Sequence, residues 1–218
     1  KHILSLNQKG STFYPIEKIC CETIHQPGSL ILIKDAKWME TTFLVKRIFK
    51  QENLDGRKIV HLDCSEISQK TIRDIDELSR WVLATIYFKL DLKNTLQHYD
   101  QESISDWNDN FTVYFEKHIL NETQSDIILV LYNIDYLFSN QETAEKFLKL
   151  LSDWNKKGQS KGCWSKLKLI LTQSANANIP PDFYSLLLEM KTQIVLEKFN
   201  FNQAKALAKF YNLDWDEM

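Results

Sequence analysis

Five short apolar runs, set apart by stretches of helical periodicity, constrain this chain more than any other feature. They are Ser29–Lys34, Lys58–Asp63, Asp126–Leu131, Leu167–Thr172 and Gln193–Leu196. Strands that are apolar almost throughout, rather than alternating, are those buried on both faces, as in a parallel sheet covered by helices. The intervening segments supply the helices. Tyr14–His25 is one, ended by Pro27-Gly28. Thr41–Lys50 places Phe43, Leu44, Ile48 and Phe49 on one stripe. Residues 71–90 carry Ile72, Ile75, Leu78, Trp81, Val82, Thr85, Ile86 and Leu90 at spacings of three and four. Further helices are expected at Phe111–Leu120, at Glu142–Trp154 and at Asn202–Tyr211. Lys1–Ser11 reads as a polar lead-in, residues 94–108 and Asn155–Lys166 as loops, and Phe183–Leu188 stays ambiguous. Strands alternating with helices predict an α/β fold with Asp126–Leu131 at its centre.

Two strand ends carry the functional argument. A phosphate-binding loop reads G-x-x-x-x-G-K-[ST] directly after a strand and opens a helix. After Leu30–Ile33 this chain reads Asp35-Ala36-Lys37-Trp38-Met39-Glu40-Thr41-Thr42. The spacing and the final Thr42 survive, but Asp35 and Glu40 stand at the Gly positions and Thr41 at the Lys position. Backbone N–H groups and a helix N-terminus hold the phosphates in such a loop. A carboxylate ~4 Å from a phosphate charge opposes it by about 4 kcal/mol at an effective dielectric of 20. That is comparable to the whole of a millimolar affinity. Loss of the Lys removes the cation that neutralises the terminal phosphates. The second strand, Ile127–Leu131, runs into Tyr132-Asn133-Ile134-Asp135. Asp and Glu at that point hold Mg²⁺ and orient water. Tyr132 and Asn133 supply no carboxylate, and Asp135 suits a neighbour contact or a cap.

The order of segments resembles a known family. The segments are PGSLILIK, the altered loop, RKIVHLD, LSRWVLATI, YFEKHIL, ILVLYNIDYLF, FLKLLSDWNKK, WSKLKLILTQSA and FNFNQAKALAKFYNLDW. Together, from about Tyr14 to Trp215, they are similar to the AAA-like ATPase domain of multidomain cyanobacterial signalling proteins, one of the signal-transduction P-loop NTPases. The resemblance implies a P-loop NTPase-like three-layer sandwich with a mainly parallel five-stranded sheet over residues 1–197. It also implies that residues 198–218 begin a helical lid, cut short here. By position it makes Glu40 the replaced Gly, Thr41 the replaced Lys, Tyr132 the replaced metal-holding Asp and Asn133 the replaced catalytic Glu. Thr42 and Asp135 match, and Thr172 falls where the family senses the terminal phosphate.

The expected function is a non-catalytic module acting as an interaction or signal-transduction platform within a larger regulatory protein. The relict site is Asp35, Lys37, Trp38, Glu40, Thr41, Thr42, Tyr132, Asn133, Asp135 and Thr172, with no catalytic residue. No cofactor or metal is expected; ATP and magnesium enter only under an alternative, a nucleotide-binding switch that does not hydrolyse. A DNA-handling module using Lys156, Lys157, Lys161, Lys166 and Lys168 ranks last. The expected partner is another protein or a flanking domain. A net charge of −2 provides no overall field for nucleic acid, which is disfavoured as a partner. No apolar run approaches the ~20 residues that span a bilayer. The chain opens at Lys1 without Met or a secretory signal, and Cys20, Cys21, Cys64 and Cys163 show no metal or disulfide spacing, so a reducing cytoplasm is expected. The acidic residues Asp63, Glu66, Asp74, Asp76 and Glu77 read as a solvated helix start.

Overall fold

The apolar runs become neighbouring strands of one sheet. A computed structural model of the chain describes residues 2–5, 14–35, 42, 44–46, 48–49, 56–92, 99, 106–160, 162–174, 177, 179–180, 183, 192–196 and 205. The strands are β1 (His2–Ser5), β2 (Leu30–Asp35), β3 (Lys58–Asp63), β4 (Ile127–Tyr132), β5 (Leu167–Ser174) and β6 (Thr192–Leu196). Their order across the sheet is β1-β6-β2-β5-β4-β3, and every pairing is parallel. The five expected strands are present. A sixth, β1, pairs with β6 at the sheet edge, where the sequence suggested only a polar lead-in. Four residues with one apolar pair are too short to show a period, so pairing rather than pattern decides β1.

Helices cover both faces. They are α1 (Tyr14–Ile24), α2 (described at Thr42, Leu44, Val45, Lys46, Ile48 and Phe49), α3 (Gln69–Ile72), α4 (Ile75–Leu90), α5 (Trp107–Phe115) and α6 (Gln141–Gly158). Successive strand residues point to opposite faces. Leu30, Leu32, Leu129, Leu131 and Leu169 enter the larger core, shared with α4, α5 and α6. Ile31, Ile33, Ile128, Val130 and Ile170 enter the smaller one, shared with α1 and α2. All six residues of β4 are buried, which is why that run shows no polar alternation.

Local chemistry fixes the helix ends. The Asp74 carboxylate accepts from the Asp76 and Glu77 N–H groups and opens α4, as the acidic sequence there suggested. Asn140 does the same for α6 by accepting from Thr143 N at 3.0 Å. The α5 helix continues through a wider turn, Glu116–Leu120. Its last carbonyls, together with that of Thr123, meet a lysine: Lys166 Nζ donates to Leu120 O and Thr123 O, each at 2.9 Å.

Three expectations about loops change. Residues 94–108 contain a buried helical Tyr99, and α5 already begins at Trp107, because both rings join the Phe111 and Tyr114 cluster. The Asn155–Lys166 loop is shorter, since α6 runs to Gly158 and Cys163–Lys166 forms a turn. Trp154 anchors that region: its indole N–H donates to Thr112 Oγ1 at 2.9 Å and its ring lies 4.3 Å from Phe115 and 5.4 Å from Trp164. The segment 184–188 and the lid expected over 198–218 lie outside the described residues, apart from Lys205, which is helical.

The close approach that sets α6 against the sheet is made by two glycines. Gly28 has φ +55°, and a Cβ built on it would sit 2.7 Å from Gly158 Cα. Its carbonyl also accepts from the Asn155 side-chain amide. Gly28→Ala therefore suffers both a left-handed strain and a backbone collision, and is expected to cost about 2 kcal/mol or more. Urea unfolding followed by circular dichroism checks this; an unchanged midpoint would show that α6 shifts freely.

Candidate functional site at the strand ends

In an open parallel sheet, ligands bind in the crevice beyond the carboxyl ends of the strands, where the strand order reverses. Here that point lies around β2, since the chain crosses from β2 to the β3 edge, works back through β4 and β5, and then places β6 on the far side of β2. Register aligns the ends. Asp35 is opposite Ser174 and Leu196, and Asp63 is opposite Tyr132. Of the relict-site residues, Asp35 ends β2, Thr42 lies half-buried in α2, and Tyr132, Asn133, Asp135 and Thr172 gather at the ends of β4 and β5. Lys37, Trp38, Glu40 and Thr41 lie outside the described residues.

A hydrogen-bond chain closes the end of β4. Asn133 leaves the strand in the left-handed region, φ 56° and ψ 45°, a conformation asparagine tolerates better than most residues. Its backbone N–H donates to Thr172 Oγ1 at 3.1 Å. Its side-chain amide donates to Asp63 Oδ1 at 2.8 Å. The same oxygen accepts from Ser65 N at 3.0 Å and from Ser65 Oγ at 2.7 Å. Asp63 was grouped with a solvated helix start; the structure instead makes it the acceptor that ties β3 to β4. One strand further, Asp135 Oδ1 accepts from Ser174 N at 3.2 Å.

Tyr132 faces the other way from this chain. Its ring stacks on His61 with centroids 5.8 Å apart, and its hydroxyl lies 3.2 Å from His61 Nδ1. Burial first, and then the Asp63 carboxylate, push the Tyr132 phenol well above its ordinary pKa. Partial burial, then the Lys89 and Lys46 ammonium groups, hold His61 below its ordinary value. At neutral pH the phenol thus keeps its proton and the imidazole stays neutral, which suits O–H donating to Nδ1.

Beside this stack opens a cavity of about 580 Å³. It is lined by Thr42, Lys46 and Phe49 of α2 and by Trp81, Thr85 and Lys89 of α4. His61 and Asp63 of β3 and Tyr132 of β4 line it as well. Sequence reasoning missed most of these residues. Trp81, read as part of the core stripe of its helix, does pack half-buried against the larger core, and it also lines the cavity with Thr85 and Lys89. The available signal was the spacing of four among those three residues, where Thr and Lys break an otherwise apolar face.

These residues test the magnesium nucleotide that a phosphate-loop fold implies. Magnesium needs oxygen ligands with room for water. At the end of β4 there is a phenol bound to His61 and an amide bound to Asp63, and the Asp63 oxygen is taken up by three donors. The β4 end does not fit a magnesium ion.

The sheet, its covering helices and the placement of the site at the strand ends define a P-loop NTPase-like α/β sandwich. Residues 7–218 match the AAA-like domain family, and the chain belongs to it. In fold it is similar to the Aeropyrum pernix ORC1 protein in complex with DNA, at 12% identity and a TM-score of 0.59, covering 92% of this chain and 49% of that one. It is likewise similar to a chain of Drosophila ORC bound to DNA, at 12% identity and a TM-score of 0.52, covering 93% and 48%. The chain thus spans about half the length of these solved proteins. No curated protein matches it in sequence.

Two expectations need correction. Nucleic acid was disfavoured as a partner on a net charge of −2, but proteins of this fold have been solved bound to DNA. A whole-chain sum says little about phosphate contacts, which depend on local cations. The lysine stretch itself is less available than its composition suggests. Lys166 caps the wide turn after α5, and Lys168 is buried with its Nζ donating to Ser165 O at 2.6 Å.

Asn133→Asp would replace the amide donor with a second carboxylate facing Asp63. A loss of about 1–3 kcal/mol at neutral pH is expected. The deficit should shrink towards about pH 4, as one of the two acids takes a proton. Urea midpoints at the two pH values measure it; an equal deficit at both would mean that the carboxylates do not meet.

Proposed function

We propose that this chain is a regulatory AAA-like module that holds nucleotide without hydrolysing it. The observation that carries this reading is the Asn133 amide bound to Asp63 at 2.8 Å, at the position where hydrolysis needs a carboxylate aimed at water. Binding is supported by what remains. The crevice lies where open parallel sheets take their ligands, and Thr42 sits in the helix that follows β2. In this reading the module works inside a larger signalling protein, and its output passes to a flanking domain or a protein partner. Four free thiols, three of them buried, suit a reducing cytoplasm, and no described helix is long and apolar enough to cross a membrane.

The test is calorimetry with ATP, with and without Mg²⁺, beside an assay for released phosphate. We expect a Kd better than ~100 μM, corresponding to about −5.5 kcal/mol, and little change on adding Mg²⁺. Phosphate release should stay at background. Silence at millimolar nucleotide would leave an interaction platform instead, and turnover that Thr42→Ala abolishes would contradict the reading outright.

A second reading, contact with DNA, is favoured by the likeness to the two DNA-bound proteins. Fluorescence anisotropy with a labelled duplex across a salt series tests it. Phosphate contacts predict affinity that falls steeply with salt, by about one logarithmic unit per contact for each tenfold rise. Substituting Lys166 or Lys168 should leave any such binding unchanged, since both ammonium groups are engaged internally.

A further inference from the structure

A second, smaller cavity lies at the amino end of β2, away from the strand ends that carry the candidate site. Its volume is about 40 Å³. It is lined by Thr23 at the end of α1, by Gln26, Gly28 and Ser29 of the turn into β2, and by Asn155 and Gln159 at the end of α6. The two helices belong to different layers. Cys20, Cys21 and Ile24 of α1 enter the smaller core, whereas Phe147, Leu148 and Leu151 of α6 enter the larger one. The cavity therefore sits where the two helical layers meet, at the start of an interior strand.

Ser29 gives this space a chemical requirement. It is only 6% exposed, and its Oγ has no hydrogen-bond partner among the described residues. The neighbouring groups are engaged elsewhere. Ser29 O accepts from Leu169 N at 2.9 Å, and Thr23 O accepts from Gln26 N at 3.0 Å. Gly28 O accepts from the Asn155 side-chain amide, and Asn155 Oδ1 accepts from Gln159 Nε2 at 3.2 Å. A buried hydroxyl without a partner is destabilising, and native structures supply the partner from protein or from ordered water. The size of the space selects between solutes. One water takes up about 30 Å³ of liquid, so the cavity admits a water and excludes a phosphate or a ring. Its walls also carry hydroxyl and amide groups, whereas cavities that stay dry are apolar.

We propose that this cavity is a binding site for an ordered water molecule that hydrogen-bonds Ser29 Oγ and joins the α1–β2 turn to the end of α6. Thr23 and Gln26 on one side, and Asn155 and Gln159 on the other, offer the further polar partners that a buried water takes, about three in all. A bridging water is nearly as good in enthalpy as a direct hydrogen bond. It thus works beside the Gly28–Gly158 contact in holding α6 against the sheet. The site is independent of nucleotide binding, because none of its residues lies at the carboxyl ends of the strands.

Two measurements on the whole chain test it. A crystal structure with resolved solvent should show a water within about 3 Å of Ser29 Oγ, bonded also to a group of α6. Ser29→Ala decides what the hydroxyl is worth. Removing a hydroxyl that has no partner relieves the protein and raises the urea midpoint. Removing one that anchors a bridging water lowers it. We expect a lower midpoint, corresponding to a folding equilibrium constant reduced about fivefold. The proposal is overturned if no water is ordered at Ser29 Oγ, or if the Gln26 or Gln159 side chain turns in to be its partner. A midpoint in Ser29→Ala equal to or above that of the unaltered chain overturns it as well. Nucleotide takes no part in either measurement, so failure of ATP to bind leaves the water site standing.

Discussion

Burial of β4 on both faces is the constraint on which the rest of the molecule depends. Ile127, Leu129 and Leu131 point into one core and Ile128, Val130 and Tyr132 into the other. Such a strand can carry polar chemistry only where it emerges, because an unpaired polar group inside either core costs about 1–3 kcal/mol. The functional residues of this fold are therefore pushed to the carboxyl ends of the strands. There the chain must turn, and there Asn133 takes its left-handed conformation.

What stands at that end decides the chemistry. A carboxylate after β4 would have to stay solvated or find a cation. Asn133 needs neither: it donates to the Asp63 carboxylate and, through its backbone, to Thr172. It stitches β3, β4 and β5 together at a place where a hydrolase must leave groups free to meet water and metal. Tyr132 works the same way on the opposite face, filling space against His61.

Much of the fold was legible from the sequence, because both of its periods are local. Runs such as Ile127–Tyr132 and the three- and four-residue spacing of α4 announce their partners' character without naming the partners. Elements without a period were misread. β1 has four residues and is fixed by pairing with β6, 190 or so positions away. The extension of α6 to Gly158 depends on Gly28 coming close enough to touch it. The two altered motifs were visible as wrong residue types at the right spacing. Their consequence was not, since Asp63 and Asn133 are 70 positions apart and only the register of β3 on β4 brings them together.

By itself, the sequence determined that the chain builds a parallel sheet wrapped in helices, and which residue types stand at the ends of β2 and β4. Those facts follow from side-chain type and short-range spacing. Only the tertiary structure decided that Trp81, packed against the larger core, also borders a cavity, and that residues of α2 and α4 line it together with the His61–Tyr132 stack. A helix pattern says which residues share a face, but the neighbour that face meets is set by how the strands pair. Among the described residues, no further strand pairs with the β3 edge.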